Sequence, residues 1–432
     1  MSPTARRRVP LHTRILIGLL LGAAGGIAAN RLSGTAPWVD WITANVAQPI
    51  GQIFLRMLFM LVVPLVFASL SLGVAGLGDL RRIGRLGLRT LSMFLATTAV
   101  ATILGLSLVN LVRPGESLAP EARAELMEAY APQAAERVAA AAGTDFGIQT
   151  FIQIVPRNPV DAAARGDMLG LIFFTIVFAI AITRIPRETA APLLRVIEAI
   201  GRTVEVMIGM AMRLAPIGVA GLIFAVTARF GLDLLVPLGQ YVLVVLAALA
   251  IHLFAVIGVL ARLLAAVAPL EFFRRSRTAI VTAFSTSSSN ATLPTTIRTA
   301  ERDFGVSPEI AGFVLPLGAT LNMNGTALFE GVTVLFLAQV FGLDLSPGTQ
   351  VIVVVMSVLT AIGAAGVPSG SIPLLIVVCE MVGVPGEGIA LILGVDRILD
   401  MARTVPNVMG DLLTSIVVAR WEGAVPGRRR VG

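Results

Sequence analysis

The most informative segment of the sequence is 396–411, which reads DRILDMARTVPNVMGD. In a helix its polar side chains fall on one face, while apolar sequence flanks it at 389–395 and 412–418. An ionised group in mid-membrane costs about 2.5–3.5 kcal/mol on insertion scales. The helix is therefore predicted to turn this face toward a polar cavity that binds something, as in a transport site. Its members are Asp396, Asp400, Arg403, Thr404, Asn407 and Asp411, with Arg403 expected to be the only basic group among them.

Composition and charge also indicate a membrane protein. Of the 432 residues, 56% are hydrophobic and 14% charged, which is unlike a soluble domain of this length. At about 20 residues per span, eight crossings fit. Arginines at 6–8, 81–89, 274–277 and 428–430 predict cytoplasmic loops and termini, whereas the acidic segment after Pro114 is predicted outside. Because the arginines lie in short loops and termini, the net charge of +7 does not indicate nucleic-acid binding.

Two apolar segments are interrupted and do not read as ordinary spans. Residues 270–301 are broken by STSSSNATLP at 285–294, and residues 348–382 by GAAGVPSGS at 363–371. Each half is too short to cross, and irregular backbone at membrane depth is tolerated only where it lines a cavity or is buried in protein. A long polar-marked helix follows each, at 308–341 and 386–421. This repeat of hairpin plus helix predicts a binding site where the broken segments meet.

The ordered motifs carry a resemblance to a known family. SSSNATLP at 287–294, NMNGTAL at 322–328, AGVP at 365–368 and the stretch 396–411 resemble the signature motifs of the dicarboxylate/amino acid:cation symporters, the glutamate transporter family. The similarity covers essentially the whole chain. It implies an all-α membrane protein with eight transmembrane helices, two re-entrant hairpins and inverted repeats. It also implies a homotrimer in the bacterial inner membrane, whose transport domains move as elevators.

The resemblance also implies a domain division. Residues 1–77 are expected to form scaffold helices 1 and 2, residues 78–113 transport-domain helix 3, and residues 114–230 the extracellular loop with scaffold helices 4 and 5. Residues 231–266 are expected to form transport-domain helix 6, and residues 267–425 the transport core of both hairpins with helices 7 and 8. Residues 426–432 are a basic C-terminal tail.

Substrate roles follow from the matched motif positions. Arg403 matches the arginine that binds the substrate's side-chain carboxylate, a suitable task for a bidentate guanidinium, and Asp400 matches the aspartate that receives the ammonium. Asn407 and Thr326 match groups that hold carboxylate oxygens. The full expected set is Ser288, Ser289, Thr326, Gly366, Val367, Asp400, Arg403, Thr404 and Asn407. For Asp396, a structural hydrogen-bonding role is as plausible as a role in the site.

Sodium ligands are assigned in the same way. Asp411 with carbonyl groups of Gly318, Asn322 and Asn407 matches one sodium site, because hard oxygen ligands suit a hard cation. Thr320 with the backbone of the second hairpin matches another. The helix 308–341 is itself predicted to be broken at NMNGT, 322–326; Met323 lies in this break and belongs to the expected sodium set. No cofactor beyond the coupling ions is expected.

The chain departs from the family pattern at a third cation site. Asn324 stands where sodium-coupled members carry aspartate, and Phe94 stands where they carry tyrosine, while Thr97 and Thr98 are retained. The third site is therefore predicted to be empty. Glu330 matches the proton-carrying glutamate of animal relatives, although a neutral glutamate bonded to a nearby carbonyl is the alternative.

The predicted function is secondary active symport of aspartate or glutamate with sodium and a proton contribution, rather than an enzyme activity. A C4-dicarboxylate symporter of the same family is the alternative. Asp400 argues against it, because a substrate without an ammonium leaves that carboxylate unpaired. An anion channel or a non-transporting membrane scaffold is the alternative of a different class.

Overall fold

The computed structural model describes residues 11–33, 36–83, 85–118, 155–165, 168–231, 235–362, 364, 366 and 368–423. Over these residues the chain is helical throughout and contains no strand, as the predicted fold class requires. The terminal arginines at 6–8 and 428–430, and most of the predicted acidic loop, lie outside the described residues. The first helices are α1 Leu11–Ser33, α2 Pro37–Ile42, α3 Gln48–Phe59, α4 Val62–Ile83 and α5 Arg85–Val112.

The middle of the chain contributes α-helices of different lengths, and one of them is very long. The long helix, α8, covers 44 residues and contains Pro192 and Pro216. It runs along α1 and also packs on α3 and α4, while α7 packs on α4. These helices are α6 Pro159–Arg165, α7 Met168–Ile182, α8 Arg187–Phe230, α9 Leu235–Ala250 and α10 Gly258–Leu263.

Within the described residues, six helical segments are long and apolar enough to cross a membrane. Helix α7, in the region expected to contain scaffold helix 4, has only 15 residues, and α17 carries the charged residues of 396–411. The count of eight spans therefore stays a prediction. The six segments are Thr13–Arg31, Pro37–Ala75, Arg85–Ser117, Arg187–Arg229, Leu235–Leu263 and Pro308–Val340.

Both interrupted segments are broken where the sequence predicts. The first forms α11 Pro269–Thr286 and α12 Ser289–Phe304, and Ser287 between them has a left-handed backbone with φ of 50°. Ser288 caps α12, since its hydroxyl accepts a hydrogen bond from the backbone N–H of Ala291 at 3.1 Å. The second forms α15 Pro347–Ile362 and α16 Ile372–Met381, and the described residues between them, 364, 366 and 368–371, are not helical.

The helix after the first hairpin is broken as well. It divides into α13 Pro308–Leu321 and α14 Asn324–Val340, and only Asn322 and Met323 separate the two helices. After the second hairpin, a 3₁₀ turn at Gly386–Leu391 leads into α17 Leu393–Trp421. Helix α17 contacts α5, α9, α11, α12, α13 and α14, so its polar face lies inside the protein.

Candidate functional site

The centre of the site is a buried ion-pair cluster on α17. Arg403 is 2% exposed, and its Nε and Nη2 donate to Oδ1 of Asp400 at 3.1 and 2.8 Å. Its Nη1 lies 3.3 Å from Oδ1 of Asp396. The guanidinium carbon also lies 4.1 Å from the ring centroid of Phe329 on α14, a cation–π contact. The buried positive charge is therefore held by two carboxylates and an aromatic face.

The other oxygen of Asp400 has two further donors that the sequence analysis did not identify. The backbone N–H of Ser369 donates to Oδ2 at 3.0 Å, and Nη1 of Arg397 donates to it at 3.4 Å. The prediction that Arg403 is the only basic group of this face is therefore wrong. On a helix, Arg397 falls only about 20° beyond Thr404, and the long arginine side chain covers that distance. The small helical angle between Arg397 and Thr404 is the sequence feature that indicates the contact of Arg397 with Asp400.

The second hairpin closes the cluster from the side opposite α17. Ser369, with a left-handed φ of 59°, donates its hydroxyl to Oδ2 of Asp396 at 3.2 Å. The carbonyl of Gly366 accepts a hydrogen bond from the Ser288 hydroxyl and one from the Asn290 N–H at 3.3 Å. The tips of the two hairpins therefore touch directly above the charged side chains.

The space between the hairpins and α17 is a cavity of about 20 Å³. This volume holds about one water molecule, so an amino acid can enter only if the surrounding groups move apart. Seven of the nine predicted substrate residues line the cavity, and Ser288 lies at the adjacent tip. Val367 lies outside the described residues. The lining residues are Ser287, Ser289, Met323, Thr326, Ala364, Gly366, Gly370, Ser371, Asp400, Arg403, Thr404 and Asn407.

Two lining side chains outside the predicted substrate set have unused hydrogen-bonding capacity. The hydroxyl groups of Ser287 and Ser371 are buried without a hydrogen-bond partner among the described residues, as is the hydroxyl of the predicted Ser289. Met323 was predicted for the sodium set, and its sulfur accepts a hydrogen bond from Nδ2 of Asn407 at 3.3 Å. Ser287 and Ser371 belong to the interrupting sequences, but the sequence does not indicate whether the side chain of a polar loop residue points into the site.

Asn407 connects the cluster to the break between α13 and α14. Its Oδ1 accepts a hydrogen bond from the backbone N–H of Gly325 at 2.7 Å, and its Nδ2 donates to Oγ1 of Thr326 at 3.1 Å. A Cβ on Gly325 would collide with the backbone carbonyl of Arg403, so only glycine permits this approach of the two helices. The broken helix and α17 are thereby fixed to each other at the site.

Two of the predicted sodium ligands, Gly318 and Asn322, lie against Asp411. Its Oδ1 accepts a hydrogen bond from Nδ2 of Asn322 at 2.8 Å, and Asp411 is 3% exposed. The carboxylate packs directly on Gly318, where a Cβ would occupy its place. Thr320 does not join this group, because its side chain is exposed and its hydroxyl donates to the carbonyl of Leu317 at 3.0 Å.

The altered third site is a buried cluster of neutral groups. Oδ1 of Asn324 accepts hydrogen bonds from the hydroxyls of Thr98 at 2.6 Å and Thr97 at 3.4 Å. Its Nδ2 is buried and, within the described part of the chain, has no hydrogen-bond partner. Phe94 is 1% exposed and adds no oxygen. The hydroxyls of Thr97 and Thr98 thus donate to the neutral amide of Asn324, at a position where a sodium ion would need a negatively charged ligand.

Glu330 lies on α14, fully buried. Its Oε2 is 2.7 Å from the hydroxyl of Thr360 on α15, and the same hydroxyl is 2.7 Å from the carbonyl of Met356. One hydroxyl hydrogen cannot serve both acceptors well, whereas a protonated Glu330 donates to Thr360 and leaves the threonine hydrogen for the carbonyl. The contact therefore fits a carboxyl group that carries a proton in this conformation.

A larger cavity of about 230 Å³ lies at the ends of α5 and α14, away from the charged cluster. Its charged pair, Arg113 and Glu116, has side chains that are 58% and 47% exposed. Asn110 and Gln350 hydrogen-bond to each other at 2.7 Å on its wall. The polar groups of this cavity are paired or solvated, so the smaller cavity beside Arg403 is the better candidate for recognition.

Comparison with known proteins gives a consistent result over nearly the whole chain. Residues 11–421 match the sequence model of the "Sodium:dicarboxylate symporter family". The chain is 37% identical over 419 residues to a "Proton/sodium-glutamate symport protein" of Bacillus subtilis, covering 97% of this chain and 94% of the relative. It is 36% identical to a "Proton/glutamate-aspartate symporter" of Escherichia coli, with 95% and 93% covered. It is 31% identical to "C4-dicarboxylate transport protein 3" of Ralstonia nicotianae, with 97% and 90% covered.

Proposed function

We propose that this chain, which belongs to the sodium:dicarboxylate symporter family, takes up aspartate or glutamate by secondary active symport with sodium. The observation that carries the proposal is the pair of Arg403 and Asp400, buried beneath two touching hairpin tips. The names of the Bacillus subtilis and Escherichia coli relatives support the substrate and the coupling ions.

The ion pair explains how an acidic amino acid could bind without leaving a charge unpaired. In the present geometry Arg403 and Asp400 neutralise each other. The substrate brings an ammonium for Asp400 and a side-chain carboxylate for Arg403, so both buried charges exchange one partner for another. Removal of a partner without replacement is strongly unfavourable in a buried site. A substrate with both groups therefore fits this pair better than a neutral amino acid.

Coupling to sodium is proposed to work through Asp411 and the break between α13 and α14. Asp411 packs on Gly318 and accepts a hydrogen bond from the Asn322 side chain at 2.8 Å. The carbonyl oxygens of Gly318, Asn322 and Asn407 are proposed to complete the site with the carboxylate, since oxygen is the donor that a hard cation prefers. Asn407 belongs to both the cation and the substrate sets, and it bonds to Gly325 and Thr326. An ion that orders this break would pre-form the substrate site, and the coupling would be reciprocal. Thr320 is proposed to contribute to a second site once the second hairpin rearranges.

At the third cation position we propose that no sodium binds. The amide of Asn324 supplies dipoles but no charge, and sodium dehydration in a membrane site needs a nearby anion. Glu330 is proposed to carry a proton instead, since its contact with Thr360 fits the protonated form. Coupling to protons together with sodium agrees with the name of the Bacillus subtilis relative.

The proposed architecture is that of eight spans and two re-entrant hairpins in a homotrimer of the bacterial inner membrane, with both termini cytoplasmic. The packing of α1, α3 and α4 on α8 supports a scaffold, and the packing of α17 with α5, α9 and α11–α14, beside smaller contacts with α1 and α8, supports a transport core. An elevator movement of that core is proposed. The domain boundaries remain 1–77, 78–113, 114–230, 231–266, 267–425 and 426–432.

Calorimetric binding of aspartate and glutamate to the purified protein in sodium chloride and in choline chloride tests the proposal. Sodium-dependent binding of either amino acid, with alanine as a neutral control that does not bind, is expected. An absence of acidic amino acid binding in both buffers would contradict the assignment. A C4-dicarboxylate is the second candidate substrate, because Arg397 supplies a second cation beside Asp400.

A further inference from the structure

We infer that Arg397 determines how strictly this site requires an amino group on its substrate. By holding Asp400, it competes with the substrate's ammonium and allows an acid with two carboxylates and no amino group to bind the same site. This inference rests on the proposed function of the site and assigns a specificity role to a residue outside the predicted substrate set.

The geometry places Arg397 directly on the ammonium acceptor. Its Nη1 is 3.4 Å from Oδ2 of Asp400, and its side chain is 15% exposed. Its Nε is buried and, in the described part of the chain, has no hydrogen-bond partner. Arg403 occupies the other oxygen of Asp400, so the two guanidinium groups divide one carboxylate between them. Arg397 is therefore held in the site and keeps unused donor capacity there.

The position of Arg397 on the helix distinguishes it from the other donor to Oδ2. The N–H of Ser369 belongs to the second hairpin, and that hairpin must move for a substrate to enter the cavity. Arg397 and Asp400 are three residues apart on α17, so their contact does not depend on the hairpin. When Arg403 turns to a substrate carboxylate, Arg397 remains as the partner of Asp400.

The charge balance then permits both kinds of substrate. Two arginines and two aspartates, Asp396 and Asp400, make the cluster neutral when all are ionised. Without Arg397, a substrate that lacks an ammonium would leave Asp400 unpaired in a buried environment, which is strongly unfavourable. With Arg397 present that penalty is reduced. Amino acids then bind more weakly, since their ammonium must compete with a guanidinium for the same oxygen.

Aspartate and succinate provide the matched probe, because succinate is aspartate without its amino group. We expect succinate to compete with aspartate for the wild-type protein. In Arg397→Ala the ratio of succinate to aspartate affinity should fall about tenfold or more, through weaker succinate binding and equal or tighter aspartate binding. Arg397→Lys should restore part of the ratio, because it returns a positive charge. Arg420→Ala is the matched control, on the same helix but exposed and bonded to the carbonyl of Leu264.

The measurement is competition binding with labelled aspartate in sodium buffer, with the melting temperature of each variant recorded. Arg397→Gln replaces the alanine variant if the latter does not fold. A wild type that ignores succinate, or a ratio unchanged by either substitution, would overturn the inference while leaving the proposed function intact. A wild type that binds no acidic amino acid would instead contradict the proposed function itself.

Discussion

Replacement of Arg403 by cysteine removes the guanidinium on which recognition of an acidic side chain depends. The wild-type side chain makes two hydrogen bonds to Asp400, lies 3.3 Å from Asp396 and covers the ring of Phe329. Cysteine reaches none of these partners. The loss therefore affects the charge that would hold the substrate carboxylate and also the groups that position Asp400.

The expected effect is large because Arg403 is buried. Truncation of one partner of a buried, hydrogen-bonded charge pair costs about 2–5 kcal/mol, much of it from the charge left behind. This corresponds to a loss of roughly thirtyfold to several thousandfold in aspartate or glutamate affinity. A small neutral amino acid such as serine brings no second carboxylate and is expected to gain affinity relative to aspartate.

Calorimetry with aspartate, glutamate and serine measures this exchange of preference, and Arg420→Cys on the same helix is the matched control. The melting temperature separates a loss of binding from a loss of fold, and serine binding by the variant would show directly that the site is intact. Unchanged aspartate and glutamate affinity in Arg403→Cys would refute the reasoning, since the carboxylate partner would then lie elsewhere.

Three further substitutions test the ion sites. Asp411→Asn removes the charge at the proposed sodium site, so the half-saturating sodium concentration for aspartate binding should rise about tenfold, and an unaltered sodium dependence would place the site elsewhere. Asn324→Asp places a carboxylate beside Thr98, so reversal potentials in proteoliposomes should show one more sodium ion per substrate than in the wild type. A wild type that already moves three sodium ions per substrate would contradict the empty third site. Glu330→Gln should abolish the pH dependence of transport, while the exposed control Glu309→Gln should retain it. A wild-type transport rate that does not respond to pH would contradict the role of Glu330 as proton carrier.

Much of the fold could be predicted because burying charge and open backbone in a membrane is unfavourable. The cluster 396–411 had to face inward, and the serine-rich and glycine-rich interruptions had to end helices; the structure has breaks at Ser287, at Asn322 and after Ile362. The span count stays a prediction, since α7 is only 15 residues long in the structure. Hydrophobic periodicity describes one helix at a time and does not predict where packing against neighbouring helices makes that helix begin and end.

The contacts between side chains in the site were harder to predict than the identity of the residues that form it. Arg403 and Asp400 were expected to face a substrate, yet in this conformation they hold each other. Arg397 lies about 20° beyond the predicted polar face, and the long arginine side chain covers that distance to reach Asp400. Ser369 contributes through its backbone N–H, and no side-chain pattern reports the direction of a backbone donor.

Uptake into proteoliposomes tests the central claim most directly. Protein is reconstituted with potassium inside, and labelled aspartate or glutamate is added outside with either sodium or choline. Symport predicts that an inward sodium gradient drives accumulation above the external concentration, that a sodium ionophore collapses it, and that Arg403→Cys abolishes it. Equilibration without accumulation, or equal uptake in choline, would contradict the account and favour a passive pathway.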